Sequence, residues 1–321
     1  MIWTPSPAPS HWLGEHEAAR VRAVKRKSQN SPLPLAGEGP GVRAVKGTML
    51  RLLGSTIALA ALGSTTAMAS QCRAVSPPYT VALIELYTSQ GCSSCPPADD
   101  WLSRLNMESP LRAIPLALHV GYWDYIGWKD PFARREFNDR QTWLAARSGG
   151  GNVYTPQVFV AGSELADWRQ RERFGAALKS VLTRTPQATI ELQAHWISAA
   201  AGDRTQQHLA VQVHWSADGA ARNPQLLLAV KRSGYVTDVQ AGENGGSRLH
   251  GDHVVRAWDG PFSPEHQPLT TEITVPTADS ADATLVAIAQ DGKSGAVLQA
   301  VELPLAACET SGVPAAKTSP R

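Results

Sequence analysis

Two cysteines separated by two serines, Cys92 and Cys95 in the run Gly91-Cys-Ser-Ser-Cys-Pro-Pro97, are the residues of this chain best spaced for chemistry. At that spacing two sulfurs can close a local disulfide, open to a dithiol, and exchange with a partner thiol through a mixed disulfide. Pro96 and Pro97 suit the first turn of a helix, where a missing N–H has no intrahelical partner to lose. Cys92 then lies near a helix start, whose free N–H groups and dipole favour thiolate over thiol. It is expected to be the attacking sulfur, lower in pKa and more exposed than Cys95. Cys95 is expected to resolve the mixed disulfide, with Ser93 and Ser94 donating hydrogen bonds toward the Cys92 thiolate. The plainer alternatives are an inert disulfide or half of a zinc site. Structural zinc wants four ligands, and no second C-x-x-C or nearby Cys/His pair supplies them.

Other residues stand close to this pair in the expected order of elements. His119 ends an apolar run whose carboxyl end should reach the same edge as Cys92. There it would pair with the thiolate, complete a Cu(I) ligand set with Cys92 and Cys95, or serve as a hydrogen-bonded structural histidine. Tyr122, Trp123, Asp124 and Trp128 fall in the aromatic stretch GYWDYIGWKD, which would form a partner-binding wall beside the sulfurs or cover the core. Glu243, His250, Asp252 and His253 share a Gly-rich segment that would bind metal, cap the redox edge, or remain a solvated loop. Of the four cysteines, a local Cys92–Cys95 pair leaves Cys72 with Cys308. Closing 236 residues would restrict the unfolded chain by roughly 5 kcal/mol at most in the loop-entropy model, a structural role.

The elements that must position these residues are legible in the hydrophobic pattern. Residues 79–88, ending VALIELYT, read as a buried strand, 98–106 as a helix following the cysteines, and 111–119 (LRAIPLALH) as a parallel strand completing a βαβ unit. A helix is expected over 131–148, ended by Gly149-Gly-Gly151, then a strand QVFVA at 157–161 and a closing helix over 168–183. Beyond Pro186 short alternating runs take over: TIELQAHWI, HLAVQVHW, QLLLAVKR, HVVRAW, LTTEITV, ATLVAIAQ and AVLQAVEL. Asp218-Gly219 and Asp291-Gly292 are turn signals among them, so an antiparallel sandwich is expected.

A strand, a C-x-x-C at a helix start, a βα return and Thr155-Pro156 before another strand resemble the thioredoxin superfamily. More narrowly, ELYTSQGCSSCPPAD, HVGYWDYIGWKDPF and YTPQVFVAG resemble the Domain of Unknown Function 1223 family of secreted bacterial proteins, over most of the chain beyond residue 69. The resemblance implies a cis Pro156 facing the sulfurs, with Thr155 presenting its backbone to a partner. It also implies that Glu85, alone among apolar residues in the first strand though one residue further from the motif than expected, matches the buried acid that assists proton transfer; a paired or solvent-facing glutamate is the plainer alternative. Gly91 and the Ser-Ser pair depart from ordinary thioredoxins, as does the insertion over 121–148, and they leave the redox direction open.

The fold expected is therefore an α/β thioredoxin-like domain over 70–185 followed by an all-β sandwich-like domain over 186–308, with a tail at 309–321. Residues 49–69 have the charged start, apolar core (52–62) and small-residue exit at Ala67-Met-Ala69 of a signal peptide, and 1–48 read as a mis-assigned upstream extension. Periplasmic or secreted localisation without stable membrane insertion follows. Residues 1–69 hold 8 of the 30 Lys and Arg and 3 of the 28 Asp and Glu, so the remainder carries about −3, which gives no footprint for nucleic acid. The function expected is an exported thiol-disulfide oxidoreductase without cofactor, whose partner is a cysteine-containing protein or small thiol. The alternatives are a Cu(I)-binding or metallochaperone module and a non-catalytic interaction protein.

Overall fold

The computed structural model describes residues 72–105, 112–197, 204–219, 221–265, 267–306, 308 and 310–311. The expected upstream extension and signal peptide, and all but two residues of the expected tail, lie outside them. The first half of the described chain runs β1 (Arg73–Val75), β2 (Ala82–Thr88), α1 (Pro96–Arg104), β3 (Ala113–His119), α2 (Arg135–Arg147), β4 (Gln157–Val160), β5 (Ser163–Glu164) and α3 (Arg171–Leu182). Strands follow almost without interruption: β6 (Ala188–Ile197), β7 (Gln206–Ala217), β8 (Pro224–Arg232), β9 (Tyr235–Asp238), β10 (Arg248–Gly251) and β11 (Val254–Phe262). The chain then continues through β12 (Leu269–Pro276), β13 (Thr284–Asp291), β14 (Val297–Pro304) and β15 (Thr310–Ser311).

The expectation of an α/β thioredoxin-like domain followed by an all-β sandwich is overturned. The chain is mostly β, and its dominant feature is one mixed sheet of eight strands in the order β14-β13-β8-β11-β3-β2-β4-β5. That sheet draws strands from both halves of the sequence. The join is the parallel pairing of β11 with β3 at Val254 and Ala117. Its physical reason lies in β3, whose apolar run AIPLALH is buried along its whole length and would be an unprotected edge without a neighbour. Within the sheet β2 and β3 are parallel, from Ala82↔Ala113 to Thr88↔His119, and β4 runs antiparallel to β2.

Burial on both faces explains why β8 reads as an unbroken apolar run. Leu227 and Ala229 join a core with β2, β3, β4 and the three helices, while Leu226, Leu228 and Val230 face a second core. That second core is closed by a five-stranded sheet, β1-β6-β7-β12 with β15 paired to β6, through Ile190, Leu192, Val211, Val213 and Ile273. β9 and β10 form a separate two-stranded hairpin.

Candidate functional site

β2 and β3 end side by side at Thr88 and His119, and the chain leaving β2 makes the turn that carries the cysteines. Cys95 is the residue from which α1 starts, with Pro96 and Pro97 in its first turn, and Cys92 lies one turn ahead of it, its carbonyl accepting from the Cys95 N–H at 3.2 Å. The two sulfurs are bonded, with Cα atoms 5.5 Å apart. Ser94 Oγ lies 3.3 Å from Cys92 Sγ, and the carbonyl of Thr155 lies 3.9 Å from the same sulfur. The Thr155–Pro156 peptide is cis. Cys92 is 1 % exposed and Cys95 0 %, so the expected difference in exposure is absent and the accessible part of the turn is Ser93 and Ser94.

Of the two places expected of Glu85, it takes the plainer one, that of a paired glutamate. Its carboxylate is fully buried and bonded to Arg140, at 2.6 Å from Nε and 3.1 Å from Nη2, and it accepts from Tyr87 Oη at 3.2 Å. Arg140 also donates to Gln290 Oε1 and lies over the Trp258 ring. The pair bolts α2 to the sheet.

The acid nearest the sulfurs along the chain is Asp99, half-buried one helical turn after Cys95, to whose carbonyl its N–H donates at 3.1 Å. Thr88 Oγ1 donates to Asp99 Oδ2 at 3.1 Å, whereas Oδ1 is enclosed without a hydrogen-bond partner. Burial pushes this carboxyl up to about 7, against the pull of His119 and the Thr88 hydroxyl. His119 itself forms a buried ion pair, Nδ1 to Asp130 Oδ2 at 2.7 Å. Burial alone would lower the histidine, but the Asp130 charge outweighs it and the pKa is raised. Burial would raise Asp130, yet His119 and the N–H groups of Gln90 and Phe132 hold it below the usual carboxylate range.

A family model described as a protein of unknown function (DUF1223) matches residues 83–290. The chain belongs to the DUF1223 family. No curated protein matches it. A crystallised protein of Agrobacterium tumefaciens is 24% identical, over 70% of this chain and 95% of its own, with a TM-score of 0.45. HBP35 of Porphyromonas gingivalis is similar in fold, at 13% identity over 76% of this chain and 81% of its own, with a TM-score of 0.50.

In this DUF1223 member the aromatic stretch does border the cysteines. Trp123 Nε1 donates to Thr155 Oγ1 at 2.7 Å, and a Cβ at Gly91 would stand 3.1 Å from Trp123 Cβ, so glycine lets the motif and the tryptophan approach. Tyr122 Oη donates to Gln141 Oε1, Asp124 Oδ1 accepts from the Asp130 N–H, and Trp128 Nε1 donates to Gln90 Oε1. Asp124 therefore shapes the loop rather than facing the sulfurs.

The segment holding Glu243, His250, Asp252 and His253 does not bring them together. Glu243 Oε2 accepts from the Ser93 N–H at 2.9 Å, whereas His250 is exposed on β10. Asp252 accepts from the Gly234 N–H, and His253, lowered to about 4 by burial and Lys231, packs near Lys231. Among the described residues no three His, Cys, Asp or Glu side chains are grouped to hold a metal. Of the Cys92, Cys95 and His119 set, the sulfurs are joined to each other and the histidine Nδ1 is taken by Asp130.

Sequence reasoning passed over Asp99, Gln90, Asp130 and Asn244. Asn244 is buried, and its Nδ2 donates to the carbonyls of Gln90 at 2.8 Å and Cys92 at 3.0 Å. Only Asp99 carried a usable signal, its four-residue spacing from Cys95 on a helix. Away from this site Cys72 and Cys308 are bonded, with Cα atoms 5.1 Å apart, and tie the segment before β1 to the end of the chain.

Proposed function

We propose that this chain is an exported thiol-disulfide exchange protein in which Cys92 receives or makes the attack and Cys95 is the resolving sulfur. The observation that carries the reading is the Cys92–Cys95 bond at the start of α1 with the half-buried Asp99 one turn on, its carboxyl raised to about 7 and its enclosed Oδ1 without a hydrogen-bond partner among the described residues. A disulfide that only braced the turn would have no use for a titratable group beside it. Clusters of this kind, a perturbed acid next to a nucleophile, mark working sites more often than scaffolds.

In the oxidising direction a substrate thiolate attacks Cys92 Sγ, the Cys92–Cys95 bond breaks, and its electron pair leaves on Cys95 Sγ. Asp99 Oδ1 supplies the proton that makes Cys95 a neutral thiol, which speeds departure, because a protonated leaving sulfur does not return. A second substrate thiolate attacks the substrate sulfur of the mixed disulfide, releasing the substrate disulfide and the Cys92 thiolate. Two electrons have then passed to the protein, and a disulfide of the oxidising compartment takes them back by the same steps reversed. Run in the other direction, Asp99 takes the Cys95 proton and a substrate disulfide is reduced.

Export rests on the reading of residues 49–69 and on the compartment in which such a bond persists. Among the described residues no helix is long and apolar enough to cross a membrane. No observation specifically favours the Cu(I) reading.

The test is exchange activity with insulin disulfide reduction and dithiol-peptide oxidation as the two directions, run on the whole chain beside Cys92→Ser. Activity in either direction that vanishes in Cys92→Ser supports the reading. No activity in either direction, and none toward the small disulfide of 2-mercaptoethanol, at rates above the free thiol reagents overturns it.

A further inference from the structure

The backbone of the turn that carries the cysteines is held by a part of the chain far from it in sequence. The loop 239–247 joins β9 to β10 and folds on itself, with Val239 N–H donating to the Ser247 carbonyl at 2.9 Å and Gly246 N–H to the Val239 carbonyl at 2.8 Å. Gly242 has a φ of +74°, and a Cβ there would stand 3.2 Å from Trp128 Cβ, so the loop's approach to the aromatic stretch depends on glycine. From this loop Asn244 satisfies two carbonyls of the motif turn, Gln90 and Cys92, and Glu243 accepts the Ser93 N–H. One strand earlier, Thr237 Oγ1 accepts from Gln90 Nε2 at 2.9 Å.

What anchors this hairpin differs from what anchors the other strands. β9 and β10 pair only with each other and belong to neither large sheet. A two-stranded hairpin of this length has little stability of its own, so its position rests on side-chain contacts to the motif turn, on β10 lying against α1, on buried Val239, and on Tyr235, which packs against Phe132 with ring centroids 4.6 Å apart and donates to Asp279 Oδ1. Units held in this way open at lower free energy than the core around them.

We infer that the loop 239–247 is a latch that sets substrate size at the Cys92–Cys95 pair, with Asn244 as its holding residue and Glu243 as its second contact. The inference rests on the exchange reading above and names its substrate class. Closed, the latch keeps both sulfurs buried and lets a small thiol reach Cys92 past Ser93 and Ser94. A cysteine within a folded protein reaches Cys92 only after the hairpin lifts, because its surrounding backbone needs the space that Asn244 and Glu243 occupy. Small thiols and their disulfides are accordingly the primary substrates. Removing the Asn244 amide leaves two buried carbonyls unpaired in the closed form, which shifts the balance toward open.

The test compares two reductants on the oxidised whole chain, 2-mercaptoethanol and a thiol-terminated polyethylene glycol of about 5 kDa, a bulk far beyond a buried turn. The rate of opening of the Cys92–Cys95 bond is read by quenching, alkylation and peptide mass, which separates it from Cys72–Cys308. An unstructured peptide disulfide gives the intrinsic ratio of the two reagents. In the wild type the bulky thiol should be slower than that ratio by at least roughly tenfold, and Asn244→Ala should bring it within about threefold. Glu243→Ala, at an exposed position that folding does not depend on, should move the ratio the same way by a smaller factor. A wild-type ratio equal to the peptide's, or one unchanged in both variants, overturns the latch; should Asn244→Ala fail to fold, Glu243→Ala decides. Bond opening needs no turnover, so a size filter in a chain that turns over neither the small disulfide of 2-mercaptoethanol nor insulin and dithiol peptides keeps the latch and removes the exchange reading, and turnover without a size filter does the opposite.

Discussion

At the residue scale, two carboxyl groups in neighbouring elements, buried Glu85 and half-buried Asp99, do opposite work because of what faces them. Glu85 has a guanidinium at 2.6 Å and forms a structural pair with it. Asp99 has a hydroxyl on one oxygen, nothing on the other, and a pKa of about 7. Asp99→Asn should therefore lower the exchange rate by roughly 10²-fold and remove an inflection near neutrality from its pH profile, since an amide neither gives nor takes the proton. Glu85→Gln should leave that profile in place and lower stability by about 3 kcal/mol, measured by denaturant unfolding, because the Arg140 charge is left uncompensated. If the inflection survives in Asp99→Asn and disappears in Glu85→Gln, then Glu85 is the proton carrier and Asp99 the structural acid. Glu85 was the visible candidate in the sequence because a lone acid in an apolar strand stands out. The signal of Asp99, its four-residue spacing from Cys95, is easily passed over because an acid in the first turn of a helix ordinarily needs no explanation beyond the dipole.

At the scale of elements, the ends of β2 and β3 and the loops beyond them are tied by charge. The His119–Asp130 pair joins the end of β3 to the aromatic loop, and Asp130 also accepts the Gln90 N–H of the motif turn. The signs of its pH dependence follow from the two shifts. His119 is raised above its ordinary 6.5, so its contribution to stability is complete below about 6.5 and is lost as pH rises through the folded value. Asp130 is lowered from 3.8, so its contribution is present above that value and is lost as pH falls through the depressed one. Asp99, raised, adds to the loss on the alkaline side between 3.8 and about 7. His119→Gln should then destabilise the chain more at about pH 6 than at about pH 9, read by denaturant midpoints at both. An equal loss at the two pH values would mean that the histidine is neutral in the fold. The strands that bury a full face, β2, β3, β6, β7, β8, β13 and β14, were legible as apolar or alternating runs. The hairpin was not, since YVTD and RLHG are short, polar and half-exposed, and its hold on the motif comes from Asn244, Glu243 and Thr237, none of which periodicity marks.

At the scale of the whole molecule, the sequence suggested two domains because local pattern changes at Pro186 from mixed helix and strand to strand alone. Pattern is local, however, and the pairing of Val254 with Ala117 is not. Nothing in either run says that β3 needs a neighbour from more than a hundred residues on, so the single eight-stranded sheet was invisible to periodicity. The Cys72–Cys308 bond closes this architecture from outside the motif. Replacing both by serine should cost about 2–5 kcal/mol of stability, seen as a lower unfolding midpoint under oxidising conditions, while exchange at Cys92 persists in the folded protein. Loss of exchange at temperatures where that variant remains folded would show that the two disulfides act together.

That Cys92–Cys95 is a working couple and not a brace is tested most directly by its reduction potential. The oxidised chain is equilibrated in buffers of graded reduced-to-oxidised glutathione, and the state of Cys92 and Cys95 is read by alkylation and peptide mass. A working couple should show a single reversible two-electron transition between roughly −270 and −120 mV, the span of known exchange proteins. A bond that remains closed to below roughly −300 mV, as structural disulfides do, would contradict it.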